Sequence, residues 1–182
     1  MTPEQYLEHE SKTESKSEYW NGHIFAMSGA SPEHIAITMN LSASLHRQLS
    51  RKGCYVCGSD MRIRVENRNI YTYPDVSVVC GKRKFEGSSV KTLLNPVLIV
   101  EVLSPTTERY DRVAKFAMYS DIVSLREYVL VSQTSVQVER HLRRPGGKWE
   151  VTEAVRLKDS IKLASVPAVL KLRDLYWQVE LP

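Results

Sequence analysis

A chain of 182 residues, 42% apolar and 25% charged, is sized and composed for a folded protein with a sizeable core, which excludes a disordered segment. Its formal net charge of +4 at pH 7 permits a polyanionic partner without requiring one. No apolar run reaches the ~20 residues that cross a bilayer, and Met1-Thr2-Pro3-Glu4-Gln5-Tyr6-Leu7 has neither the basic start nor the apolar core of an export signal, so a cytoplasmic protein without a membrane partner is expected.

Thr2 can cap a short helix running to about Glu10. Glu18 to Met27 contains Asn21-Gly22, a two-residue hairpin signal, and Ser28-Gly29-Ala30 breaks the pattern. Ser31-Pro32-Glu33 opens a helix placed at Pro32 to Arg51, with Ile35, Met39, Leu41, Leu45 and Leu49 as the stripe facing the sheet. Cys54 and Cys57 have C-x-x-C spacing. No second pair follows to complete a zinc site, and on a strand the two sulfurs point to opposite faces. With an odd total of three cysteines, they are expected to be small buried residues in a reducing compartment, without a disulfide framework.

Met61 to Glu66 alternates as a half-exposed strand, and Tyr71 to Cys80 reads as the next. Gly81 to Leu94 is a loop or short helix leading to a strand at Val97 to Leu103. Thr107 to Asp121 is expected to be a helix packing through Tyr110, Val113, Ala114, Ala117 and Met118, with Asp111, Lys115 and Tyr119 on a neighbouring face. Leu125 to Ser132 is another buried strand, so the helix makes a crossover between parallel strands. Val136 to Leu142 and Trp149 to Val155 form a hairpin across Arg143 to Gly147. Asp159 to Leu163 and a turn near Arg173 to Trp177 complete one domain over 1–182.

The segments Tyr-Pro-Asp-Val-Ser-Val-Val-Cys and Val-Leu-Ile-Val-Glu-Val-Leu each carry one carboxylate, Asp75 and Glu101. Glu101 shares a face with Val97, Ile99 and Leu103, where an ionised group costs several kcal/mol unless a cation or donors compensate it. A metal ion shared with Asp75 is the partner expected from the residues alone, since carboxylates on adjacent strands ~4.8 Å apart can meet at one ion. Ordinary alternatives exist for each residue. Asp75 can cap a strand through backbone amides, and Lys115 can form a helix-surface pair with Asp111.

Tyr-Pro-Asp at 73–75, Glu-Val-Leu-Ser-Pro at 101–105, then Asp111 and Lys115, resemble the Uma-type putative restriction endonucleases, a branch of the PD-(D/E)XK nuclease superfamily. The likeness extends through Tyr-Trp-Asn-Gly-His-Ile, Ala-Ser-Pro-Glu-His, Gly-Ser-Asp-Met-Arg and Leu-Arg-Glu-Tyr-Val-Leu-Val. It implies an α/β (α+β) fold: a restriction-endonuclease-like core whose mixed central sheet is flanked by helices, with additional β-hairpins. It also implies a metal-dependent DNA endonuclease using Mg²⁺, with Mn²⁺ as a substitute. Asp75 and Glu101 match the two acids. The superfamily's Lys is absent, Leu103 standing at its position, and Lys115 on the next helix takes that role. From the chemistry of the site, the Val102 carbonyl is expected as a further metal ligand. His34, Glu18 and Tyr119 are secondary candidates near the site. A homodimer is expected, because cutting a duplex commonly uses two sites.

Two other functions compete. One is a nucleic-acid-binding module without turnover, suggested by Leu103 and by basic clusters at Arg47/Arg51/Lys52, Arg62/Arg64/Arg68, Lys82–Lys84 and Arg140/Arg143/Arg144. The other is a homo-oligomeric interaction protein assembling through hairpins around Asn21-Gly22 and Pro145-Gly146.

Overall fold

The computed structural model of the chain describes residues 1–27, 29–87 and 91–182, so Ser28 of the break expected at Ser28-Gly29-Ala30 and part of the Gly81–Leu94 connection lie outside the described residues. Thr2 caps α1 (Pro3–Glu10) reciprocally: its Oγ1 accepts from the Gln5 amide at 3.3 Å, and Gln5 Oε1 accepts from the Thr2 amide at 2.8 Å. β1 (Ser17–Trp20) and β2 (His23–Ala26) turn at Asn21-Gly22, with φ of +44° and +102°, angles that this pair adopts at little cost. Ser31 starts α2 (Pro32–Leu49), its Oγ accepting from the His34 amide at 3.2 Å. β3 (Cys54–Cys57), β4 (Ile63–Val65), a 3-10 turn at Glu66–Arg68 and β5 (Ile70–Thr72) follow.

The expected single strand Tyr71–Cys80 is two. β5 ends at Thr72, and β6 (Val76–Cys80) starts in a different sheet. Tyr73-Pro74-Asp75 makes the passage, and Pro74 has no amide hydrogen to give a ladder. The Gly81–Leu94 connection holds two short strands rather than only a loop or helix: β7 (Phe85–Glu86) and β8 (Thr92–Leu93). β9 (Leu98–Leu103) and β10 (Glu127–Ser132) are parallel, Val100 opposite Val129, as the crossover reading requires. β11 (Val138–Arg143) and β12 (Trp149–Ala154) form the expected hairpin. β13 (Ser160–Lys162) pairs with β14 (Val169–Lys171), which leads into α3 (Leu172–Leu175).

One sheet runs β2-β1-β5-β4-β8-β7 and the other β12-β11-β10-β9-β6-β3. The second lies in the middle of the molecule. Val76, Val78, Leu98, Val100 and Val102 on one face pack against α2 and the C-terminal residues Leu170, Leu172 and Leu175. Val79, Ile99, Leu103 and Leu130 on the other meet Ile63, Val65, Ile70 and Leu93 of the first sheet. The α+β architecture with a mixed sheet is therefore as expected.

The packing face of α2 differs from the expected one in phase. Ile35 and Met39 are 53% and 64% exposed, whereas Ile37 is fully buried beside Leu41, Leu45 and Leu49. Ile37→Val should cost about 0.5–1.5 kcal/mol in urea melts, and Ile35→Val no more than about 0.5, since only the first removes a packed methylene. Equal effects would mean that the helix is rotated from this phase.

The crossover helix also departs from expectation. Tyr110–Lys115 is π-helical and runs into α-helical Phe116–Tyr119. The Tyr128 hydroxyl donates to the Asp111 carbonyl at 3.0 Å, engaging it from outside the helix, and the wider turn brings Asp111, Lys115 and Tyr119 into the interior. Val113 and Ala117, placed in the packing face by their spacing, are exposed.

Cys54 and Cys57 do point to opposite sides, but Cys54 is not a free thiol. It faces Cys80 across β3 and β6 and is joined to it by a disulfide, with Cα atoms 4.0 Å apart. Directly opposed positions on antiparallel strands bring the sulfurs together, which corrects the expectation of three reduced cysteines. Among the described residues, no helix is long and apolar enough to cross a membrane.

Candidate active site

Asp75 and Glu101 meet because β6 and β9 are antiparallel with Val76 opposite Val100, which sets residue 75 against residue 101. The Asp75 amide donates to Glu101 Oε2 at 3.4 Å, and Asp75 Oδ2 accepts from the Val102 amide at 2.7 Å. Asp75 Oδ1 lies 2.9 Å from His34 Nε2 in the first turn of α2. Glu101 shares its face with Ile99 and Leu103 as expected, whereas Val97, ahead of the strand, packs on the other side.

Glu101 is 3% exposed and has three donors. Lys115 Nζ lies 3.0 Å from its Oε1, the Tyr119 hydroxyl donates to the same oxygen at 2.7 Å, and the Asp75 amide serves Oε2. Lys115 is itself buried and also faces Asp111 at 3.4 Å and Glu18 at 3.6 Å. Glu18 accepts from the hydroxyls of Thr72 and, at 3.3 Å, Tyr110. The structure thus brings together the three residues singled out as central, Asp75, Glu101 and Lys115, with all three secondary candidates. Asp111 and Lys115, for which a helix-surface pair was the ordinary alternative, are both buried in the cluster. Thr72 carried no sequence signal, and neither did Gln133, whose Oε1 lies 3.5 Å from Ser31 Oγ.

Charge in this cluster is unbalanced. Glu18, Glu101 and Asp111 surround one ammonium, that of Lys115, and Asp75 adds a fourth carboxylate beside Glu101. Burial pushes the Glu101 carboxyl up to about 8; Lys115 opposes the shift, and the charges of Asp75 and Asp111 add to it. Burial likewise raises Asp111 against the pull of Lys115. For Lys115, burial disfavours the charge, but Glu101, Glu18 and Asp111 outweigh it and hold the amine protonated. Burial also works against a charged His34, and the bond and charge of Asp75 overcome it, so its pKa is raised.

Among the described residues, no group of three or more His, Cys, Asp or Glu side chains forms a ready-made metal cage. Mg²⁺ does not require one: it takes one or two carboxylates and keeps waters or phosphate oxygens for its other positions. Asp75 and Glu101 are such a pair, with hard oxygen donors and an excess of negative charge around them. The amide and carbonyl of a strand residue face the same neighbour, so the Val102 carbonyl is turned to the side from which its amide reaches Asp75.

Several members of the basic clusters are already engaged within the protein. Arg62 is buried, its Nε donating to Thr92 Oγ1 at 2.9 Å, while Arg64, Arg68 and Arg144 pair with Glu86, Asp121 and Glu150.

The fold is that of a crystal structure from Anabaena variabilis ATCC 29413, described as a putative nuclease belonging to DUF820, with a TM-score of 0.77, 17% identity and coverage of 97% of each chain. The chain belongs to the Uma2 family, described as putative restriction endonucleases, which it matches over residues 3–174. It is 38% identical over 166 residues to the uncharacterized protein slr1290 of Synechocystis sp. PCC 6803, covering 91% of this chain and 86% of that one. It is also 35% identical over 153 residues to sll1609 of the same organism, covering 84% and 86%.

Proposed function

We propose that this protein is a Mg²⁺-dependent endonuclease that hydrolyses phosphodiester bonds in DNA, with Mn²⁺ able to substitute. The observation that carries the reading is Glu101, a carboxylate buried on a sheet face, directly opposite Asp75 and 3.0 Å from the Lys115 ammonium. Family membership and the nuclease fold support the same reaction class.

Asp75, Glu101 and the Val102 carbonyl would hold the ion, which when bound lowers the pKa of a water and offsets charge on the scissile phosphate. Lys115, within 3.6 Å of three carboxylates that favour its charged form, would donate to a phosphate oxygen as negative charge develops. Tyr119 fixes Glu101 and His34 fixes Asp75, each through one hydrogen bond. Duplex cleavage takes two such sites, so we expect the working form to be a homodimer.

Supercoiled plasmid incubated with the protein should be nicked or linearised in Mg²⁺ or Mn²⁺ and left intact in EDTA. Salt-sensitive DNA binding with no cut product under any of these conditions would favour a binding module and refute the nuclease reading.

A further inference from the structure

Beside the cluster, between the β1–β2 turn and the turn joining β4 to β5, lies an open cleft of ≈ 700 Å³. Trp20, His23 and Phe25 line one side, and Asn67, Arg68 and Asn69 the other. We propose that this cleft binds an unstacked nucleobase of the nucleic-acid strand whose phosphate lies at Lys115; the inference rests on the nuclease reading.

Three observations support it. The first is the chemistry of the walls. A nucleobase offers a flat π face and a hydrogen-bonding edge, and single-strand sites meet these with aromatic rings and polar side chains. Trp20 stands edge-on to Phe25 at 6.4 Å and to Tyr110 at 5.7 Å between ring centroids, while carboxamides and a guanidinium form the opposite side. The volume is within the ~300–1,000 Å³ of small-ligand sites.

The second is position. Tyr110 touches Trp20 on one side, lies with its ring centroid 5.7 Å from Lys115 Nζ, and donates to Glu18. A base in the cleft is thus one aromatic ring removed from the ammonium. That separation suits a neighbouring nucleotide in a strand that extends beyond the ~3.4 Å per residue of a stacked helix.

The third is a preformed rim. The rim needs no ordering on binding: the Asn21 amide donates to the Asn69 carbonyl at 3.3 Å, and both asparagines hold positive φ.

The test is fluorescence anisotropy of a short labelled oligothymidylate and of a matched abasic strand, in EDTA so that neither is cut. Wild-type protein should prefer the base-bearing strand. Trp20→Ala should weaken binding to that strand about 5- to 150-fold and leave the abasic strand nearly unaffected. Phe25→Ala, at a half-exposed position where little packing is lost, should act in the same direction. Equal wild-type affinity for both strands, equal losses on both strands, or binding to neither overturns the proposal. A base preference without plasmid cleavage in Mg²⁺ would keep the cleft and remove the nuclease. Cleavage without a base preference would do the reverse.

Discussion

Plasmid nicking by a Glu101→Gln variant in Mg²⁺ should fall about 10²–10⁴-fold below wild type, while its melting temperature in EDTA stays level or rises. The amide keeps the shape of the side chain and an oxygen to accept from Tyr119 and Lys115. Only the charge is removed. In the folded protein that charge is unwelcome: burial, Asp75 and Asp111 push the Glu101 carboxyl from its ordinary 4.5 to about 8. An acid raised in this way favours folding fully below 4.5, and the benefit is lost as pH rises through about 8. Glutamine does not titrate, so the variant's advantage in stability should grow across that same window. Lost activity together with lost stability would make Glu101 a structural residue. An unchanged rate would remove it from the chemistry altogether.

Lys115→Met should lower stability by about 3–5 kcal/mol at alkaline pH, because it strands buried carboxylates without their cation. For a chain of this length that is a fall of roughly 6–20 °C in Tm. The pH dependence separates this cause from lost packing. Lys115 itself stays protonated until pH rises beyond its ordinary 10.5, so in wild type its contribution is intact through neutral pH. In the variant, Glu101 and Asp111 lose the ammonium that lowered them, and their folded pKa values rise further above the ordinary 4.5 and 3.8. Protonated, they fit the site. The deficit should therefore be small below about 4, grow as pH rises, and be complete only above the wild-type Glu101 value of about 8. Thermal melts across that range test it. A deficit constant with pH would assign Lys115 a packing role.

The parts of this fold that were legible in the sequence are those with a local cause. Asn21-Gly22 turns a hairpin through its own backbone preferences, Ser31-Pro32 starts α2, and the apolar run into Glu101 makes a buried strand. What was misread depends on partners far along the chain. Pro74 marks a weak point in Tyr71–Cys80, but that Thr72 and Val76 pair in different sheets is set by strands elsewhere in the chain. The π-helical widening that turns Asp111 and Lys115 inward involves a hydroxyl from Tyr128, and the disulfide depends on the register of strands 26 residues apart. Ile35 and Ile37 fit an apolar stripe about equally well, so the phase of α2 was undetermined locally.

Glu127 sharpens the point about the site. It too is a fully buried carboxylate at the start of an apolar strand, yet it accepts from the amides of Ala164 and Ser165 at 2.9 and 2.8 Å. A charge in an apolar run therefore does not single out a reactive group. The order of Asp75, Glu101 and Lys115 was needed as well, and it is these three, not Glu127, that converge.

The passage at Pro74 gives the cluster a mechanical character. Glu18 and Thr72 ride on one sheet and Glu101 on the other; Lys115 grips both acids, and Tyr119 lies within 3.4 Å of Thr72 while holding Glu101. The groups proposed to work on phosphate are thus also the rivets between two plates. Removing the Lys115 ammonium should loosen the joint as well as dull the tool, whereas Glu101→Gln, which keeps the contacts and drops only the charge, dulls the tool alone.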